Sequence, residues 1–206
     1  MNKRFEEIYA KNEWLHGSGE GSLPQHTKGY ARFLEKYVSE NKIKSVVDMG
    51  CGDWQFSKDI SWGDAKYHGF DVVPSVIERN TRIYSTGQVC FSLYSGDPAE
   101  LPSADLLIVK DVLQHLSDAT VHQALKNFDR YAQILITNCV NPRGSTINRD
   151  ISDGEFRYLD VRLSPFNFDS IEAYSFQPEG TFLERLRNRP RWRKKVLLAY
   201  GDAGRP

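Results

Sequence analysis

The stretch VVDMGCGD, residues 46–53, constrains this chain more than any other. A short apolar run that stops on an acid and two glycines reads as a buried strand ending in a tight turn. Glycines there let the backbone reverse and approach a ligand that a side chain would exclude. A helix following at once would offer free N–H groups at its N-terminus. That arrangement belongs to open α/β sheets, whose ligands sit at the carboxyl ends of the strands.

The rest of the chain carries the same rhythm. Apolar runs at Ser45–Met49, 67–71, Val89–Leu93, 104–110 and 133–138 alternate with helical patterns, which predicts βαβ units and a mostly parallel sheet. Pro74 opens a helix over 75–83. Ser117-Asp118 precedes another, with Val121, Leu125 and Phe128 on one face. Tyr30, Phe33, Leu34, Tyr37 and Val38 form a helical stripe before the first strand. Ile171–Phe176 and 195–200 are the sixth and seventh strand candidates. Two segments break the alternation: the glycine-rich 17–22 (GSGEGS) and the polar, turn-rich 141–168. Loops this long in a compact domain are usually functional.

The 206 residues suit one domain, read as 1–44 (lid and helix), 45–140 (cofactor core), 141–168 (substrate side) and 169–206 (C-terminal strands). A formal net charge of zero provides no global pull toward nucleic acid or anionic lipid. The three cysteines form no CxxC pair or zinc pattern, and free thiols in a reducing cytosol are expected. The N-terminus is polar and mixed in charge, unlike a signal peptide. No run approaches the roughly 18 apolar residues of a membrane span, so a cytoplasmic location is expected. The acids and histidines share no helical spacing that would predict a metal site.

Two ligand classes use glycine turns of this kind. A dinucleotide fingerprint wants a third glycine, where this chain has Gln55. Asp48 lies ahead of the glycines, where it would repel a pyrophosphate but suits the cationic aminoacyl part of S-adenosylmethionine (SAM). This D-x-G-x-G, the acid Asp71 ending the second strand, and LQHL after the fourth resemble class I SAM-dependent methyltransferases over residues 27–138. The resemblance implies a Rossmann-like α/β fold. Its seven-stranded sheet is mostly parallel with an antiparallel last strand, and helices cover both faces. It also implies that Asp48, Gly50 and Gly52 surround the methionine part of SAM, that Asp71 takes the ribose hydroxyls, and that Asp97 reaches the adenine; the alternatives are a strand-end helix cap for Asp71 and a plain Asp-Pro turn for Asp97. Lys110 and Asp111 join the cofactor site at the end of the fourth strand, and Trp54 either walls that pocket or packs in the core. Trp14, the 17–22 loop, His26 and Tyr30 are lid candidates, with Trp14 and Tyr30 also placed against substrate.

Methyl transfer from a sulfonium needs positioning of the nucleophile and exclusion of water. His115 in LQHL is the candidate general base, the alternative being a histidine that only packs or caps. VKDVLQ replaces the N/D-P-P-Y/F signature of amine methylation, and Ser164-Pro165-Phe166 comes too late to supply it, so O-methylation of a small molecule leads. Arg143, Arg149 and Arg157 would bind an anionic substrate such as a phosphonate or carboxylate, or pair with neighbouring acids as structure. The pattern resembles small bacterial methyltransferases, including phosphonate O-methyltransferases of antibiotic biosynthesis. Two further readings stay open: an RNA methyltransferase using the basic run 184–195, and a SAM-binding module without catalysis. The same run is otherwise a solvated connection between the last two strands, or a source of cations over the active site for an anionic substrate. Nucleic acid and membrane are not expected partners, and oligomeric state is open, a homodimer among the options.

Overall fold

The computed structural model describes residues 2–178 and 192–204. Its centre is a seven-stranded sheet in the order β3-β2-β1-β4-β5-β7-β6. The strands are β1 (Ser45–Met49), β2 (Lys66–Asp71), β3 (Val89–Leu93), β4 (Leu106–Lys110), β5 (Gln133–Val140), β6 (Ile171–Phe176) and β7 (Arg193–Tyr200). The pairs among β1–β5 are parallel, while β7 runs antiparallel between β5 and β6. The topology is that of the Rossmann-like methyltransferase fold.

Burial on both faces explains the composition of the central strands. β4 reads LLIVK and is buried throughout, as expected where helices cover a parallel sheet on both sides. Side-chain alternation then splits the core in two. On one face, Val47, Leu107, Val109, Ile134 and Ile136 pack with the helices α1 (Asn2–Ala10) and α4 (Asp118–Lys126), through Phe5, Ile8, Val121 and Leu125. On the other, Val46, Leu106, Ile108 and Leu135 meet Tyr30, Leu34 and Val38 of α2 (Pro24–Glu40) and Ile77 of α3 (Pro74–Tyr84).

Three features depart from the sequence reading. The polar start of the chain is the helix α1, anchored by the buried Phe5 and Ile8. The helix expected directly after the glycine turn is a single 3-10 turn at Ser57–Asp59. Residues 53–62 instead lay Trp54, Ile60 and Trp62 into the second core. Two strands are longer than read: β5 continues to Val140 and β7 begins at Arg193. Residues 141–168 form neither α-helix nor strand. They are held down by Leu159, Val161 and Phe166 in the first core. The amides of Gly154 and Arg157 also donate to the carbonyls of His115 and Gln114.

Candidate active site

A cavity of about 420 Å³ opens over the carboxyl ends of β1, β2 and β4, within the usual range for small-ligand sites (~300–1,000 Å³). The β1 turn forms its floor. Gly50 (φ 76°) and Gly52 (φ 57°) take the left-handed conformation that favours glycine. A Cβ on Gly50 would overlap the Val112 side chain, and one on Gly52 would overlap the Ser18 hydroxyl. The amides of Gly50 and Cys51 both donate to the Phe70 carbonyl, at 2.8 and 2.9 Å. The turn's donors are therefore engaged by the protein, and it presents close backbone rather than an anion cradle.

Two buried carboxylates stand beside that turn. Asp71 accepts the Gly52 amide on one oxygen at 3.0 Å and the Val73 amide on the other at 3.1 Å. A carboxylate oxygen accepts two hydrogen bonds, so each oxygen keeps a lone pair for a ligand hydroxyl. Asp48 accepts the Tyr67 hydroxyl at 2.5 Å. Burial pushes both carboxyls up to about 6, against the hydrogen bonds that favour their ionised forms.

At the end of β4 the chemistry changes sign. Asp111, with φ 59°, accepts on one oxygen from Lys110 at 2.6 Å and from Lys194 of β7. Burial alone would raise Asp111, but the two ammonium groups outweigh it and hold it at about 2. Burial lowers Lys110 to about 8, against the attraction of Asp111. A second donor of each ammonium reaches the entry segment: Lys110 to the Ser22 hydroxyl at 3.3 Å and Lys194 to the Gly21 carbonyl at 3.2 Å.

That entry segment, residues 12–23, closes the cavity from above. The Ser18 amide donates to Asp53 at 3.2 Å while the Asp53 amide donates to the Ser18 hydroxyl at 3.0 Å. Tyr9 of α1 joins the same hydroxyl at 2.8 Å. Trp14 and residues 18–22 line the cavity, together with Phe5 and Tyr9. His115 lies on the rim, in a single turn after β4. Its Nδ1 is 2.9 Å from the Glu155 carbonyl and so carries the proton. Gln114 accepts the Cys139 amide at 2.7 Å through Oε1, which leaves its Nε2 to donate to His115 Nε2 at 3.3 Å. The hydrogen-bond network thus assigns a neutral Nδ1–H imidazole with its lone pair on Nε2. Burial lowers its pKa below the ordinary value.

Of the residues singled out in the sequence, Asp48, Gly50, Gly52, Trp54, Asp71, Lys110, Asp111, His115 and Trp14 line this cavity. Trp54 does so from the core, packed against Tyr67, Tyr84 and Phe91. Asp97 stands outside the lining, capping the turn Pro98–Glu100 by accepting the Ala99 amide at 3.0 Å; its neighbours Gly96 and Pro98 reach the cavity instead. Tyr30 is fully buried in α2, stacked on Phe176, with its hydroxyl accepting from Thr137. His26 likewise lies outside the lining, 3.8 Å from Glu20.

Arg143, Arg149 and Arg157 do not reach the lining. Arg157 is buried against Asp118 and the carbonyls of Arg149 and Leu116, so its guanidinium serves structure. The cation that does reach the cavity is Lys194. It belongs to the basic run 184–195, of which 184–191 lie outside the described residues. Trp192 and Lys194 turn into the cavity, and Lys195 pairs with Glu172 at 2.9 Å. Alternation along β7 was the available signal.

Among the described residues there is no group of three or more metal-ligating side chains and no helix long and apolar enough to cross a membrane. Residues 25–150 match the model of the O-methyltransferase domain family. No curated protein sequence matches the chain. Solved structures with the same fold include the N-methyltransferase NodS from Bradyrhizobium japonicum WM9 in complex with S-adenosylhomocysteine (SAH). It is 14% identical, covering 97% of this chain and 99% of that one, with a TM-score of 0.65. Magnesium protoporphyrin IX methyltransferase from Synechocystis PCC 6803 with bound SAM is 14% identical, covering 98% and 97%, at 0.60. The methyltransferase domain of bacterial CtHen1-C is 15% identical, covering 86% and 98%, at 0.60.

Proposed function

The chain belongs to the O-methyltransferase domain family and takes SAM as its methyl donor, and from that premise we propose that it methylates an oxygen of a small acidic metabolite, a phosphonate or a carboxylate. The observation that carries this reading is the change of charge along one cavity. Asp48 and Asp71 flank the glycine turn, and two ammonium groups meet one carboxylate oxygen at the β4 end.

The residues fit the donor. Asp71 retains an acceptor site on each oxygen for the two ribose hydroxyls. The close backbone at Gly50 and Gly52 and the carboxylate of Asp48 suit the cationic methionine end. SAM supplies an electrophilic methyl group when bound. Lys194 and Lys110 orient an acid group of the acceptor, and the docked entry segment keeps water from the reacting atoms. Where the attacking oxygen carries a proton, His115 receives it on Nε2 in place of the 3.3 Å hydrogen bond from Gln114, a contribution of roughly 10²–10⁴-fold. An acceptor already ionised needs no base.

Calorimetric titration with SAH tests the donor site. Micromolar binding in the wild type that is lost in Asp71→Ala supports it, and absence of wild-type binding refutes it. Transfer of a labelled methyl group from SAM to a panel of phosphonates and carboxylates then tests the acceptor. Turnover confined to neutral alcohols or amines would overturn the acidic class.

A further inference from the structure

We propose that Trp14 is the positioning residue for His115, so that docking the entry segment over the cofactor and setting the base are a single event. The inference rests on the reading of His115 as a base. Trp14 stacks on the imidazole with centroids 4.7 Å apart and planes 34° from parallel. Phe156, from residues 141–168, stands 5.8 Å from the same ring. Two segments that belong to neither the sheet nor its covering helices therefore hold the imidazole. The Glu155 carbonyl and the Gln114 amide fix the remaining rotation.

Trp14 is itself held by the N-terminal helix and by its own segment. Phe5 and Tyr9 of α1 meet its ring edge-on at 6.0 and 5.9 Å. The residues after it reach the β1 turn through Ser18 and Asp53, and reach β4 and β7 through Ser22, Gly21, Lys110 and Lys194. Lifting residues 12–23 would withdraw Trp14 and open one face of His115 to water. A solvated imidazole regains its ordinary basicity and its freedom to exchange tautomers. The charged groups that act on it are Asp111 of the β4 end, which favours the imidazolium, and Lys194 of β7, which opposes it. Glu155 contributes its main-chain carbonyl, while its carboxylate accepts the Ser152 amide. Trp14 adds no charge, so it acts by excluding water and fixing the ring plane.

The test is an NMR titration of the His115 ring in the full chain, its resonances assigned with His115→Gln. In the wild type His115 titrates below the ordinary histidine range with the Nδ1–H tautomer dominant. Trp14→Leu raises that midpoint by about half a unit or more and mixes the tautomers, and Trp14→Phe restores most of the wild-type behaviour. Ser18→Ala loosens the entry segment without touching either ring and moves the midpoint the same way by less. It also keeps the test open if Trp14→Leu fails to fold. Wild-type titration in a folded Trp14→Leu, or in Ser18→Ala should Trp14→Leu not fold, overturns the proposal. SAH calorimetry on the same samples separates the two readings. Loss of wild-type SAH binding refutes the methyltransferase site, whereas an unmoved His115 refutes only the role of Trp14.

Discussion

Asp71, the last residue of β2, holds the amide of Gly52, the second glycine of the β1 turn, at 3.0 Å. One side chain therefore fixes the shape of the turn and, in the proposed function, would present its lone pairs to a ribose.

Replacing it separates these two roles. Asp71→Ala leaves the buried amides of Gly52 and Val73 without an acceptor and lowers stability by about 1–3 kcal/mol. SAH affinity falls on the order of 100-fold. Asp71→Asn keeps one oxygen, so thermal unfolding changes less than calorimetric affinity does. Equal losses in both measurements would show that Asp71 is structural alone.

Asp48 and Asp71 make binding and stability depend on pH in a defined direction. Their carboxyls, at about 6, lie above the ordinary value of 3.8. The folded state thus holds more protons than the unfolded state between those limits. Their contribution to stability is full below about pH 4 and is lost as pH rises through about 6. The ammonium group and ribose hydroxyls of the ligand favour the ionised forms. SAH binding therefore releases protons near pH 6 and tightens from pH 5 to pH 7, which calorimetry in buffers of different ionisation enthalpy measures directly. Asp48→Asn reduces both the proton release and the fall in stability.

Gly50→Ala tests the floor. The left-handed φ of 76° costs an alanine about 1–2 kcal/mol, and its Cβ meets Val112. Denaturant unfolding should show a loss of about 2–4 kcal/mol from strain and overlap together. Adding Val112→Ala relieves the overlap but not the strain, so recovery is partial. Complete recovery would mean the backbone conformation costs nothing.

Lys194→Met should leave SAH affinity within a few-fold of wild type and reduce turnover of an acidic acceptor by at least tenfold, about 1.4 kcal/mol. Lys194→Arg should retain most of the turnover. An equal fall in SAH affinity would move Lys194 from the acceptor to the carboxylate of the cofactor.

The sheet was legible in the sequence because its strands are short apolar runs punctuated by glycine and proline, and burial on both faces demands those runs. The lining around the glycine turn was legible for a related reason: Asp48, Gly50, Gly52 and Asp71 lie at strand ends, where sequence position fixes spatial position. The lining at the β4 end was not. Lys194 comes from β7, which meets β4 only through β5, and a basic run in sequence does not show which of its members turn inward. Arg157 stayed open because a buried ion pair, here with Asp118, and a ligand site have the same composition. Helix α1 escaped notice because only two of its nine residues are buried, too few to set an apolar period.

The place of β7 between β5 and β6 has a consequence for how the molecule is made. β2 to β5 leave the ribosome in an order that lets each find a neighbour already present, so the turn at Gly50 and the carboxylate of Asp71 can assemble early. β6 emerges with no strand to pair with and waits for β7 to bridge it to β5. Lys194 arrives with that last strand. On the proposed function, the half of the cavity that would hold a nucleoside is complete before the half that would recognise an acceptor.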